Sequence, residues 1–243
     1  LAVAATQTLH IVESIDISIL FSTQDKSGPN SVEYMDRLTT PFETLINGQP
    51  KQVFPYTDPR TVTFSNGYTT PVYRFDTPDQ LTLPQTTGAK TVAARIAFDD
   101  AFSTNLLRFL TRSGIWKVIS SNRLTPLRRS LLYNPGSGAS HEIHITVTGR
   151  DTNGSSKTTV TTIVDPQGQT HLTALGALIQ LERLLGLDGA VPPAPSIVYP
   201  DTAPQIEQTL QVLDQFGVRV LQVGDMAREI SPNHAHLTLS SVR

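Results

Sequence analysis

A mixed α+β fold built on one main sheet is what this sequence predicts, and three stretches predict it. Ile15, Ile17, Ile19 and Phe21 alternate with Asp16, Ser18, Leu20 and Ser22, the two-residue period of a strand covered on at least one face. Residues 141–149 and 157–164 read as two Thr-rich strands joined by the turn Asp151-Thr152-Asn153-Gly154. Ile143, Ile145 and Val147 share one face there, with His144, Thr146 and Thr148 on the other. Residues 172–185 make the most apolar helix, ended by Gly186. Its small face (Ala174, Gly176, Ala177) would let another backbone approach closely, although an ordinary core helix explains the same pattern.

The remaining elements follow in order. Apolar residues near the start, such as Leu1, Val3 and Leu9, are too scattered to assign. After the first strand, Ser27-Gly28-Pro29 breaks the chain, and Asn30 with Glu33 forms a capping-box-like helix opening. A strand ending against such an opening suits an anion or polar ligand, or simply a well-capped helix. Residues 41–46 and 51–54 flank the Asn47-Gly48 turn as a hairpin, and 60–64 and 71–75 repeat the theme around Asn66-Gly67. Thr77-Pro78 opens a short helix or turn, and 92–98 is a further strand. Residues 102–113 fit a helix with Leu106, Leu107 and Leu110 on one side and Gly114 as its stop. Residues 115–119 read as a strand, 124–133 as a basic, partly helical connector. A Pro-rich connector (191–200) leads to an amphipathic helix (203–216) and a short strand (218–223). One α+β domain over 1–243 is expected, with an uncertain polar tail from about 224.

Composition removes several function classes. Net charge is −2, with acids and bases interspersed, which argues against nucleic acid and anionic membrane as partners. No cysteine is present, so disulfides, thiol catalysis and Cys-based zinc sites are excluded. No apolar run approaches the roughly 18 residues of a membrane span. LAVAA at the start is too short for a signal-peptide core. The first residue is Leu rather than Met, which suggests a piece of a longer chain. The expected location is cytoplasmic.

Motif searches give mostly rejections. No strand-linked GxGxxG occurs; Gly136-Ser137-Gly138 leads into a strand and lacks the third glycine. Gly149 and Gly154 have Walker spacing, but Ser155 stands where Lys is required. There is no GxSxG elbow. His141 and His144 point to opposite faces of a strand, and His234 with His236 lacks a third ligand, so no metal is expected. Asp99-Asp100 reads as a solvated turn or helix cap before an acid–base pair.

The order of landmarks resembles the saccharopine dehydrogenase-like oxidoreductases, in the region after their dinucleotide-binding part. The residues that carry this are STQDKSGPNSVEYMDR (22–37), NGQPKQVFPYTDPRTVTFSNG (47–67), PVYRFDTPDQLTLP (71–84), HITVTGRDTNG (144–154) and GQTHLTALGALIQLERLL (168–185). The family's N-terminal Rossmann half, with its glycine fingerprint, has no counterpart here. The resemblance implies the C-terminal, substrate-side part of such an enzyme, inactive alone. NAD or NADP is expected only with the dinucleotide-binding part, supplied upstream or by a partner, and no cofactor is expected in this chain. A homodimer and a small-molecule substrate are further expectations, the small-faced helix and the Thr-rich hairpin being the surfaces that would need cover.

Carried over, the candidate substrate-binding residues are Ser22, Asp25, Ser27 and Asn30 at the first strand-turn-helix, Arg60 and Arg95 as carboxylate clamps, and His171 just before the long helix. Each has a plain structural alternative: cap, turn former, surface hydroxyl, surface charge or polar helix start. The competing function class is a non-catalytic binding or scaffold protein that retains the fold without a cofactor site. At the Asn30 opening Pro29 removes a donor and Glu33 would repel a phosphate, so a single carboxylate fits there and a dinucleotide does not.

Overall fold

The computed structural model describes residues 1–132, 136–223 and 228–229; the side chains at 29, 30, 32, 131, 132, 222, 223, 228 and 229 lie outside the description. His234, His236 and almost all of the expected tail therefore fall outside the described residues. The strands are β1 (Ile11–Phe21), β2 (Phe42–Ile46), β3 (Gln49–Val53), β4 (Arg60–Thr63), β5 (Thr69–Arg74), β6 (Thr91–Phe98), β7 (His141–Arg150), β8 (Ser156–Asp165), β9 (Arg219–Val223) and β10 (Arg228–Glu229). The helices are α1 (Ala2–Thr6), α2 (Pro29–Asp36), α3 (Asp79–Thr87), α4 (Ala101–Arg112), α5 (Ile115–Ile119), α6 (Thr125–Leu132), α7 (Gln169–Leu185) and α8 (Ile206–Gln215).

Eight strands join in the order β10-β9-β8-β7-β1-β6-β5-β4, with β2 and β3 as a separate hairpin. β1 runs parallel to β6 and antiparallel to β7, so the sheet is mixed about its longest strand. The alternation in β1 sets the two faces. Ile15 lies beside Val92 and Val147, Ile17 beside Ala94 and Ile145, and Ile19 beside Ile96 and Ile143. On that face they meet Ala2 and Ala5 of α1, Leu83 of α3, Leu175 of α7 and Leu213 of α8. A second apolar cluster extends the same face, where Tyr73, Phe75 and Ile96 pack on Leu107 of α4 and Trp116 of α5. Asp16, Ser18 and Leu20 point to the opposite face. There a smaller cluster of Leu20, Phe64, Val72 and Ala97 contains no helical residue.

The hairpin signals hold. Asn47 and Gly48 both take positive φ between β2 and β3, and Thr44 Oγ1 ties that hairpin to the sheet by donating to the Val92 carbonyl at 2.6 Å. The long helix begins three residues earlier than its apolar pattern, at Gln169, and stops at Gly186 as expected. Its small face is exposed in this chain, while Leu175 packs inward.

Three local expectations are corrected. Residues 115–119 form α5, because Gly114 turns the chain in a left-handed conformation and Trp116 must bury, its Nε1 donating to the Met35 carbonyl at 2.7 Å. The helix after β1 has Gly28 as N-cap and Pro29 at its first position, so Asn30 lies inside α2 and the Asn30–Glu33 capping box does not form. Proline's fixed φ suits that first position, and its missing N–H costs nothing there. In α4, Leu107 and Leu110 face the core, but Leu106 is 41 % exposed.

The β1–β7 pairing depends on a close approach. A Cβ on Gly149 would lie 2.1 Å from the Ile11 carbonyl oxygen, next to the register shift at Val12/Ser14. Gly149→Ala is expected to cost about 1–3 kcal/mol, the range for overpacked sites. Urea unfolding checks it, and a midpoint equal to that of the parent chain contradicts this reading of the strand pair.

Candidate functional site

A buried charge in a strand needs a counter-charge, because desolvating an unpaired guanidinium is far costlier than pairing it. Arg95 sits in the middle of β6 on the helix-free face with its side chain 1 % exposed. Its Nη1 donates to Asp16 Oδ1 at 2.5 Å on the neighbouring β1. Its Nη2 donates to Asp58 Oδ2 at 2.6 Å and its Nε to the Asp58 carbonyl at 3.1 Å. Arg74 stands opposite Arg95 across β5–β6, a like-charge pairing that the Asp58 carboxylate bridges, at 2.7 Å from Arg74 Nη2. Asp58 reaches both by taking a left-handed backbone, φ +50°, just before Pro59. Arg60 closes the set, its Nη1 donating to Asp16 Oδ2 at 2.7 Å.

Three guanidiniums thus surround two carboxylates. Burial pushes the Asp58 carboxyl upward, but the hydrogen bond and charge of Arg95, then those of Arg74, hold it below its ordinary value overall. Burial and the neighbouring Arg95 lower Arg74, against the pull of Asp58. Arg74 Nη1 is buried with no hydrogen-bond partner among the described residues. Arg60 is 52 % exposed and offers its remaining N–H groups to solvent.

The same face carries a second polar set nearer the strand ends. Glu142, opposite Leu20, accepts from Ser65 N and Ser65 Oγ, each at 2.7 Å. His144 Nε2 lies 2.6 Å from Glu142 Oε1, and its ring packs on Phe64. Burial pushes Glu142 up, but the bonds from His144 and Ser65 leave it below the usual carboxylate value.

The other expected site residues gather where β1, β6 and β8 end. Ser22 Oγ donates to Asp99, whose other oxygen accepts from Thr23 N at 2.9 Å. Asp100 caps α4 by accepting from Phe102 N and Ser103 N, so the acidic pair is structural. Asp25 is buried and accepts from Gln169 N at 2.7 Å, capping α7, and Gly168 leaves the room its carboxylate fills. Ser27 is half-buried in the loop before α2, and Asn30's side chain lies outside the described residues. His171 lies within the first turn of α7 rather than before it, because Gly168 and the Asp25 carboxylate start the helix at Gln169. Its Nδ1 is 2.8 Å from Asp165 Oδ2, on a carboxylate fully shielded from solvent. His141, opposite Asp165 across β7–β8, is buried beside Phe21, and its Nδ1 has no partner among the described residues.

The expected residues therefore form two sets. Arg60 and Arg95 share Asp16, six residues along β1 from Ser22, or about 20 Å at ~3.3 Å per residue. No group of three His, Asp or Glu side chains suited to a metal occurs among the described residues. The arginine set holds three guanidiniums around two carboxylates, and Arg60 is its solvent-facing part. The His171–Asp165 pair orients an imidazole at the opposite margin. Sequence reasoning missed Asp16, Asp58 and Arg74, although a lone charge inside an apolar strand was a signal that a partner had to exist.

Two expected outcomes follow from this geometry. Asp16→Asn leaves Arg95 with Asp58 alone and should cost about 2–3 kcal/mol, just under the range for breaking a buried pair. Arg60→Gln should stay within about 1 kcal/mol, as for exposed pairs. Equal costs in chemical denaturation contradict the buried centre at Arg95. The second outcome concerns pH. Burial drives the His141 imidazole down from 6.5 to about 4, so on acidification the unfolded chain takes the proton first. Stability should fall between pH 6.5 and about 4, with Glu142, also depressed, adding loss below its ordinary value. His141→Phe should flatten the upper part of that profile in urea titrations at a series of pH values. An unchanged profile contradicts it.

No protein-family model matches the sequence, and no curated protein matches it. Among solved structures the chain is similar to apo saccharopine dehydrogenase (L-Glu forming) from Saccharomyces cerevisiae, with a TM-score of 0.58 and 10 % sequence identity. The match covers 93 % of this chain and 71 % of that one. At this identity the likeness is one of fold: the chain has a mixed α+β, saccharopine dehydrogenase-like fold.

Proposed function

We propose that the chain is the substrate-binding and subunit-forming part of an NAD(P)-dependent oxidoreductase of the saccharopine dehydrogenase kind, inactive by itself. The observation that supports a substrate role is the charge balance on the helix-free face. Arg60, Arg74 and Arg95 exceed Asp16 and Asp58 by one positive charge, and Arg60 is half-exposed. A guanidinium fork takes a carboxylate in two parallel hydrogen bonds, so an amino-acid carboxylate is the fitting ligand class. The fold supports the family side of the reading, and the sequence lacks the glycine turn on which a pyrophosphate would rest. Hydride transfer then belongs to a dinucleotide-binding part outside this sequence. A homodimer covering the exposed small face of α7 belongs to the same reading.

One observation favours a non-catalytic binding or scaffold protein instead. Arg95 commits both Nη atoms to Asp16 and Asp58, which is how a purely structural guanidinium is held.

Calorimetric titration of the chain with L-glutamate, saccharopine, NADH and NADPH separates these readings. The expected result is carboxylate binding that Arg60→Gln abolishes, and no dinucleotide binding. Saturable NADH binding near the micromolar range, about −8 kcal/mol, contradicts the division of labour. Absence of any carboxylate binding favours the scaffold.

A further inference from the structure

Net charge over the whole chain conceals a segregated segment. Between Asp100 and Glu142 the sequence contains Arg108, Arg112, Lys117, Arg123, Arg128 and Arg129 and not one Asp or Glu. Arg128 is buried and paired with Asp36, so the other cations set the character of the surface.

The same segment exposes large apolar side chains. At 100° per residue, Phe102, Leu106 and Phe109 fall on one stripe of α4, at i, i+4 and i+7. That stripe is separate from the buried Thr104 and Leu107, which already serve the core. Phe102 is 72 % exposed and Phe109 60 %. On α5, Val118 is 67 % exposed beside Lys117. Arg108 and Arg112 border the stripe, and with Asn105, Phe109 and Ser113 they line an open depression of about 450 Å³. Its donors are two guanidiniums, an amide and a hydroxyl, with no carboxylate among them.

Protruding aromatic and aliphatic tips edged by arginine and lysine are the pattern of surfaces that lie in a lipid headgroup layer. The contrast with α7 is informative. Leu181, Leu184, Leu185 and Leu187 are also exposed, but Glu182, Arg183 and Asp188 mix both signs among them, which suits a protein neighbour. No helix of the described residues is long and apolar enough to cross a membrane, so the contact is peripheral.

We propose that the α4–α5 surface, with the exposed Arg123 and Arg129 beside it, docks on an anionic phospholipid bilayer. Phe102, Phe109 and Val118 enter the boundary between headgroups and acyl chains, and Arg108 and Arg112 receive a lipid phosphate in the depression beside Phe109. The whole-chain balance that argued against an anionic membrane is thus an average over a strongly basic patch and an acidic remainder.

Vesicle co-sedimentation tests this, with phosphatidylcholine alone and with phosphatidylserine added as a minority component. The chain should sediment with the mixed vesicles, not with phosphatidylcholine alone, and should be released as salt is raised. Arg108→Gln with Arg112→Gln should weaken the partitioning roughly tenfold or more. Phe102→Ser with Phe109→Ser should weaken it comparably. Trp116 is buried, so the reporter is placed on the stripe itself: acyl-brominated lipids in the mixed vesicles should quench the fluorescence that Phe109→Trp adds at this exposed position. Absence of sedimentation and quenching overturns the proposal, as does sedimentation that both double variants retain. Binding to polyglutamate without binding to vesicles also overturns it and assigns the patch to an acidic protein.

Discussion

The rest of the sheet is organised around the desolvated guanidinium of Arg95. A cation with a side chain 1 % exposed, in the middle of a strand, must be met by anions on the elements beside it. Asp16 comes from the parallel neighbour β1, and Asp58 from the connection between β3 and β4. These two contacts fix the β1–β6 register and fold the 54–59 connection over the sheet. They also make tolerable the direct opposition of Arg74 and Arg95 across β5–β6. A buried ion network of this kind adds little net stability relative to apolar packing, but removing one member is costly, so its effect is to make the arrangement specific.

That constraint divides the molecule by face. One side of the sheet is apolar and takes the helices, with Ile15, Ile17 and their neighbours against α1, α3, α7 and α8. The other side carries the arginine set and the Glu142–His144–Ser65 set, with the small Phe64–Val72 cluster as its apolar packing among the described residues. Arg74, Arg95, Asp16, Glu142 and His144 therefore sit on strands, with Asp58 and Ser65 brought to them from the connections, so the charged groups are held in place without much reorganisation. The margin where β1, β6 and β8 end is different. There Asp25 and Asp165 are committed to the start of α7 and to His171, and Asp99 to the turn after β1.

Much of this was legible in the sequence, for physical reasons. Period-two alternation in β1 and in the β7–β8 hairpin, and the Asn47-Gly48 turn, are local signals, and each gave its element. Local signals failed where distant residues decided the outcome. Ile115-Trp116-Lys117-Val118-Ile119 has strand-like composition, but burial of Trp116 against the 35–38 turn makes it helical. Asn30 and Glu33 have the spacing of a capping box, yet Pro29 competes for the helix start and wins. Resemblance makes Arg60 and Arg95 candidates, but their common partner Asp16 is 44 and 79 residues away along the chain, and no spacing rule connects them. The two sets of expected residues could not be told apart without the sheet order, because Ser22 and Asp16 are close in sequence and about 20 Å apart along an extended strand.

Asp16 and Arg95 act as one buried unit, and a double-mutant cycle measures their coupling. Asp16→Asn, Arg95→Met and the double variant are compared by urea unfolding. A coupling of about 2 kcal/mol or more is expected, within the range for contacting charged residues, with the double variant less destabilised than the sum of the singles. Additive losses, within about 0.5 kcal/mol, would contradict it.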